Sequence, residues 1–308
     1  MPESQLTDTV LMVRPVRFQT NPQTADSNAF QGQSDLPPGE QQDEALVEFE
    51  GLVAALRADG INVIVVDDTA QPHTPDSVFP NNWISFHADG RVVLYPMEAE
   101  NRRSERRLDV LDVLNYPASE IVDLSPHESE GHFLEGTGSL VLDRAHRVAY
   151  ACLSSRTHLD PLGDFAQRMG YEIVAFDAVD RDGLPVYHTN VVMSVGEELA
   201  VVCDAAIPRD DQRAAVLGRL EATGHEVLLI DYDQLEAFAG NMLELRTSHG
   251  ERTVAMSRRA HASLRDAQQE RLAQNGRTIV VDIDTIEDSA GGSVRCMLAE
   301  IHWPAATG

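Results

Sequence analysis

Apolar and polar positions along this chain keep returning to one phrase. A helical stretch ends in glycine, a few mostly apolar residues follow, and an aspartate closes the unit. The copies are Gly60-INVIVV-Asp67, Gly170-YEIVAF-Asp177, Gly224-HEVLLI-Asp231 and Gly276-RTIVV-Asp282, with a looser fifth, PASEIVD, ending at Asp123. Glycine suits the left-handed turn that ends a helix, and a short β-branched run after it predicts a buried strand. Upstream, Leu46, Phe49, Leu52, Val53 and Leu56 fall at helical spacing over 44–58. Leu159, Leu162, Phe165, Ala166 and Met169 do so over 159–169. Both predict amphipathic helices.

Before most of these helices the pattern predicts two short strands joined by a polar turn. The pairs are Trp83–His87 with Arg91–Tyr95, Ser139–Leu142 with Arg147–Cys152, Val191–Val195 with Leu199–Cys203, and Met242–Arg246 with Thr253–Ser257. Each unit is therefore strand, strand, helix, strand, and the units recur roughly every 50–56 residues, a period of repeat architectures. A fifth unit opens at Cys296 and runs out of chain before its helix. Its missing parts stand at the other end, as a strand at Val10–Arg14, the helix at 44–58 and a strand at Ile61–Val66. A last repeat completed by the N-terminus closes a ring. The expected fold class is thus α/β, five ββαβ blades around an axis, with residues 1–308 as one catalytic domain; the alternative is an open α/β sheet. Residues 16–43, rich in Gln, Asn, Asp, Pro and Ser, predict a long loop, and a loop of that length suits a lid.

Of the 308 residues, 43% are hydrophobic, enough for a sizeable core. No window approaches the ~18 apolar residues of a membrane span. MPESQLTDTV lacks the basic and apolar regions of a signal peptide, and three cysteines are too few for a disulfide framework, so a cytoplasmic location is expected. The formal charge is −26, from 50 acidic residues against 24 basic ones. This balance argues against nucleic acid or an anionic membrane as partner, since both demand a basic footprint. All 24 basic residues are arginine. The absence of lysine removes Schiff-base chemistry and the phosphate-binding loop. No GxGxxG is present either, so no cofactor is expected.

Equivalent positions of repeats around a ring point toward one axis, and the start of each blade carries something reactive or polar. These are Asn81-Asn82, Glu135, His188 with Asn190, Gly240-Asn241, and Cys296. A thiol, an imidazole and a carboxylate meeting at one mouth suit nucleophilic catalysis: the thiolate attacks, the imidazole shuttles protons, and the carboxylate orients. Cys152 and Cys203 lie inside apolar strands and are expected in the core. His127, Glu128 and His132 lack the His-Glu-x-x-His spacing, so no metal is expected.

FPNNW at 79–83, FLEGTGS at 133–139, SSRTH at 154–158, His-Thr-Asn at 188–190 and GGSVRCM at 291–297 resemble, in order and spacing, the arginine-deiminase and amidinotransferase superfamily. The resemblance covers nearly the whole chain. It implies a five-bladed α/β propeller, the pentein fold, that attacks guanidinium-type carbons with a cysteine. Within it the chain looks most like the bacterial citrulline ureidases. The resemblance implies Cys296 as nucleophile, His188 as general acid/base and Glu135 as its carboxylate partner. It implies Arg156 as a clamp on the substrate carboxylate, with Arg102 or Arg103 as a second; Arg103 is the one chosen here. Asn82, Asn190 and Asn241 complete the expected substrate-binding set. The chemistry implied needs no metal.

One departure is informative. Deiminases that bind arginine typically place aspartates at the positions of Asn82 and Asn190. Asparagine supplies no charge, but its amide both donates and accepts, as a neutral ureido group does. The sequence therefore predicts a cysteine hydrolase converting citrulline to ornithine, ammonia and carbon dioxide through a covalent intermediate. The alternatives are arginine deiminase, dimethylarginine hydrolase or amidinotransferase and, from another class, a non-catalytic binding propeller. The expected partner is a small amino acid; whether the chain self-associates is left open.

Overall fold

A computed structural model describes residues 3–25, 27–32 and 36–304. Its strands, in chain order, are β1 (Thr9–Arg14), β2 (Asn62–Asp67), β3 (Ile84–Phe86), β4 (Arg91–Leu94), β5 (Glu120–Asp123), β6 (Val141–Asp143) and β7 (Val148–Leu153). They continue as β8 (Glu172–Asp177), β9 (Met193–Val195), β10 (Leu199–Val202), β11 (Glu226–Leu229), β12 (Leu243–Arg246), β13 (Arg252–Ser257), β14 (Arg277–Val281) and β15 (Ala299–Glu300). They form five three-stranded sheets, ordered β3-β4-β5, β6-β7-β8, β11-β10-β9, β12-β13-β14 and β15-β1-β2. In every sheet the first strand of the unit pairs antiparallel with the middle one and the third runs parallel to it. The parallel pairing requires a crossover, which the helix between the second and third strands supplies. The N-terminus completes the last sheet: Val10 pairs with Glu300 on β15, and Val10 also faces Val63 on β2.

The middle strands are the buried ones. β1, β4, β7, β10 and β13 are covered along almost their whole length, whereas β2, β8, β11 and β14 are half-buried. The predicted buried strands are thus edge strands of the sheets, and apolar content alone does not separate an edge strand from a central one. The helix Leu159–Met169 has the predicted limits, although Leu159 itself is exposed. The helix Pro38–Ala58 begins earlier than expected and shortens the loop. Gly60, Gly170 and Gly224 adopt φ of +88°, +72° and +87°, as a left-handed helix end requires. Gly276 is extended instead; a Cβ there would stand 2.6 Å from the Arg252 carbonyl, so the close approach of β13 demands glycine. In the loosest unit Asn115, at φ 48°, takes the glycine's part after the helix Asp109–Leu114.

Four apolar clusters fill the space between and within the sheets. Around the axis the short first strands pack side by side, β6 beside β9, β9 beside β12, and β15 beside β3. Among the described residues no helix is long and apolar enough to cross a membrane.

Candidate active site

The first strands start later than their sequence pattern suggests, because one tight helical turn precedes most of them. These turns are Pro80–Asn82, Gly136–Ser139, Thr189–Val192 and Val294–Met297, and the remaining blade has a turn in which Asn241 N–H donates to the Phe238 carbonyl at 2.8 Å. Asn82, Glu135, His188, Asn190, Asn241 and Cys296 all stand on or beside these turns rather than at strand starts. Each of the six is at least 98% buried. Small residues allow the turns to crowd together. A Cβ on Gly138 would stand 2.6 Å from both His188 Nδ1 and Asn82 Nδ2, and one on Gly292 would stand 2.7 Å from the Phe79 ring.

Glu135 Oε2 lies 2.9 Å from His188 Nε2, and its other oxygen accepts from the Glu98 N–H at 3.1 Å. Arg156 and Arg102 approach the same Oε2 at 3.5 and 3.6 Å. Burial opposes ionisation of Glu135, but Arg156, the His188 hydrogen bond and Arg102 together outweigh it and hold the carboxyl well below its ordinary range. Burial drives His188 down to about 4, against the pull of Glu135. A depressed histidine is neutral above that value and serves as a base there. The acid limb of kcat/KM is therefore expected near pH 4, not near the ordinary 6.5. Stability follows the same sign: the unfolded chain takes up this proton below about 6.5, so folding weakens as pH falls from there toward 4. A pH–rate profile with its limb at the ordinary histidine value would show His188 exposed to water.

The Cys296 sulfur receives two amide donors, Asn190 Nδ2 at 3.4 Å and Asn241 Nδ2 at 3.3 Å. Asn241 also donates to the Asn190 carbonyl at 3.0 Å, and neither asparagine lines the pocket. The structure thus places Asn190 and Asn241, both expected to bind substrate, against the thiol. Cys152 and Cys203 are buried in the core, where burial pushes their thiols up to about 12 and about 11.

The pocket, with about 260 Å³ of empty space, is lined by Cys296, His188, Asn82, Arg102, Arg156, Asp76, Phe79, Tyr187, Thr24, Asn28 and residues 290–292. Thr24 and Asn28 come from the loop predicted as a lid; residues 26 and 33–35 of that loop lie outside the described residues. The loop is pinned over the pocket: Asn28 Nδ2 donates to the Ala290 carbonyl at 3.1 Å, and Arg156 donates to Ser27 Oγ at 2.9 Å and to the Thr24 carbonyl at 3.3 Å. Arg156 lines the pocket, with its guanidinium over the Tyr187 ring at 5.0 Å.

Arg103 does not. It donates to the Met97 and Glu98 carbonyls at 3.1 and 3.3 Å and faces Glu128, outside the pocket. Its neighbour Arg102 turns inward. Consecutive helical residues point about 100° apart, so only one of the pair in the helix Glu100–Arg103 can face in. Arg102 is bidentate to Glu105 at 3.0 and 2.9 Å and donates to Asn82 Oδ1 at 3.1 Å. Asp76 was not foreseen at all. It accepts from Asn21 at 2.7 Å, while its second oxygen is buried without a partner. Its proximity to FPNNW was the one available signal.

Replacing Gly138 by alanine is expected to displace His188 and Asn82 and to cut kcat by about 10²-fold or more, the scale of a misplaced catalytic group. Circular dichroism should show the fold intact, and unchanged kcat would contradict the packing described.

A family model described as N,N dimethylarginine dimethylhydrolase, eukaryotic, matches residues 14–303. No curated protein sequence matches the chain. The fold matches the apo structure of ArgZ, an arginine dihydrolase of the ornithine-ammonia cycle in cyanobacteria, with a TM-score of 0.76 at 16% identity over 97% of this chain. That match covers only 41% of the longer ArgZ chain, whereas the separate N-terminal domain of ArgZ is covered to 99% with a TM-score of 0.74 and 16% identity. A variant dimethylarginine dimethylaminohydrolase, captured as an adduct with S-methyl-L-thiocitrulline, matches with a TM-score of 0.64 and 14% identity over 96% of this chain and 99% of its own. At such identities the likeness concerns the fold.

Proposed function

The chain belongs to the N,N dimethylarginine dimethylhydrolase family, within the arginine-deiminase and amidinotransferase superfamily, and from that premise we propose that it is a cysteine hydrolase of the ureido group of citrulline. The observation that carries this reading is the opposed orientation of two asparagines. Arg102 occupies Asn82 Oδ1, and the Asn82 NH₂ donates to Asn81 Oδ1 at 3.1 Å, which leaves one amide hydrogen for a ligand. Asn190 turns its NH₂ onto the Cys296 sulfur and keeps a buried Oδ1 without a partner. We take the remaining Asn82 hydrogen as the donor, and the Asn190 oxygen, beside Cys296 though not on the pocket's lining, as the acceptor. A ureido group brings a carbonyl acceptor and an NH₂ donor and satisfies both. A guanidinium brings only donors and a charge, and an unpaired buried charge is costly.

In this mechanism the Cys296 sulfur attacks the ureido carbon. The thiol proton passes through His188 to the chain-side nitrogen, the C–N bond breaks, and ornithine leaves. The carbamoyl thioester on Cys296 is then cleaved by water, whose proton His188 takes and returns to the sulfur. The second product is carbamate, which decomposes to ammonia and carbon dioxide. Glu135 holds the His188 ring and stabilises its cationic form. Arg156, and Arg102 beside it, meet the substrate carboxylate as planar forks do. The unpaired oxygen of Asp76 suits the α-ammonium.

A second reading, hydrolysis of dimethylarginine to citrulline and dimethylamine, is favoured by the family match. Purified protein incubated separately with citrulline, arginine, dimethylarginine and agmatine distinguishes the two. Ornithine and ammonia from citrulline are expected; citrulline accumulating from arginine or dimethylarginine would establish the guanidine chemistry instead.

A further inference from the structure

The geometry points to a cation site outside the pocket, and we propose that His132, His158 and Asp160, with Glu130, bind a divalent transition ion of the zinc class. Glu128, grouped with the histidines by sequence, turns away: it accepts from Arg106 at 3.0 Å and from the Met97 N–H at 2.7 Å. Two other stretches converge instead. The His132 and His158 rings stack with centroids 3.7 Å apart and planes 6° from parallel. His132 Nδ1 lies 2.9 Å from Asp160 Oδ2, and His158 Nδ1, which accepts from the Asp160 N–H at 3.3 Å, lies 3.7 Å from the same oxygen. Glu130 Oε2 lies 3.6 Å from His132 Nδ1.

The ligand atoms of His132, His158 and Asp160 all lie within 4.8 Å of one another, and those of His127, Glu130 and His132 do likewise. A tetrahedral ion with bonds of about 2.0–2.2 Å holds its ligand atoms roughly 3.3–3.5 Å apart, and an imidazole binds an ion in its own ring plane, so one ring must turn out of the stack to complete the shell. A second observation points to a ligand. His132 Nδ1 is buried and, despite its nearness to Asp160, makes no aligned hydrogen bond. Paired imidazoles favour zinc, copper or nickel over magnesium or calcium.

The site would join the two stretches that carry Glu135 and Arg156. Leu134 bridges Thr157, His158 N–H donates to the Phe133 carbonyl at 2.8 Å, and Glu135 N–H donates to the Arg156 carbonyl at 3.2 Å. A cation there clamps the segments from outside, touching neither Cys296 nor His188. It stabilises the fold and takes no part in the covalent chemistry.

The test is calorimetric titration and thermal melting of chelator-dialysed protein with zinc chloride and with magnesium chloride. Wild type and Cys296→Ser are run together, so that the active-site thiol is excluded as the ligand. One zinc per chain is expected in both, with a concentration-dependent rise in Tm of several degrees and no response to magnesium. His132→Gln with His158→Asn should weaken zinc binding by about tenfold or more. His158→Asn alone keeps a side-chain acceptor for the Asp160 N–H and reports if the double variant does not fold. Absence of zinc binding, binding unchanged in the histidine variants, or binding abolished by Cys296→Ser would each overturn the proposal.

Discussion

Replacing Cys296 by serine is expected to reduce citrulline turnover by about 10⁴-fold or more, the scale seen when a nucleophile is removed. The attacking species is a thiolate, and a hydroxyl at the same place is far harder to ionise. The asparagine amides that donate to the sulfur at 3.3 and 3.4 Å cannot close that gap. Since Cys296 forms no disulfide, Tm should change by only a few degrees. Cys152→Ser and Cys203→Ser give the opposite pattern. Each buries a hydroxyl in the apolar core, which costs about 1–3 kcal/mol of stability, and kcat should stay within a few-fold of wild type. Urea unfolding and steady-state rates on the three variants check both halves. Full activity in Cys296→Ser would end the covalent mechanism.

The second large effect concerns charge. Changing both Asn82 and Asn190 to aspartate should weaken citrulline turnover and strengthen arginine binding. Charged hydrogen bonds contribute roughly 1.5–3 kcal/mol, so arginine Kd should fall by about tenfold or more. The two positions are unequal. An aspartate at 82 would pair at once with Arg102, now 3.1 Å from Asn82 Oδ1, and leave little charge for a ligand. An aspartate at 190 faces no arginine in its present contacts and would carry most of the gain. It would also remove the amide that donates to the Cys296 sulfur at 3.4 Å, so arginine binding should improve while kcat does not. Kd and kcat for both substrates in the single and double variants separate these contributions. An unchanged preference in Asn190→Asp would remove the asparagines from the account.

Sequence carried the ring further than the site. Glycine-to-aspartate phrases repeat because each blade needs the same crossover, and that regularity is local. Convergence of Cys296, His188 and Glu135 followed from their equivalent places in the repeat. What lay beyond reach depends on tertiary placement. Arg102 and Arg103 are adjacent and chemically identical, and only the packed helix decides which faces inward. Asp76 sits in an irregular stretch with no period to read. Asn241 has the composition of a substrate ligand, but its turn aims it at sulfur. His158 and Asp160 lie nearly thirty residues from His132, and nothing in their spacing announces the stacked rings.

The central claim is that this pocket selects a neutral ureido carbon for attack by Cys296. Internal competition measures it in one tube: ureido-¹³C citrulline and guanidino-¹³C arginine at equal concentration, followed together by ¹³C NMR. The ratio of their decay rates is the ratio of kcat/KM. The account predicts that label leaves citrulline and appears as bicarbonate while ornithine grows in step, with the arginine signal nearly constant. Arginine consumed as fast as citrulline, or faster, would contradict it.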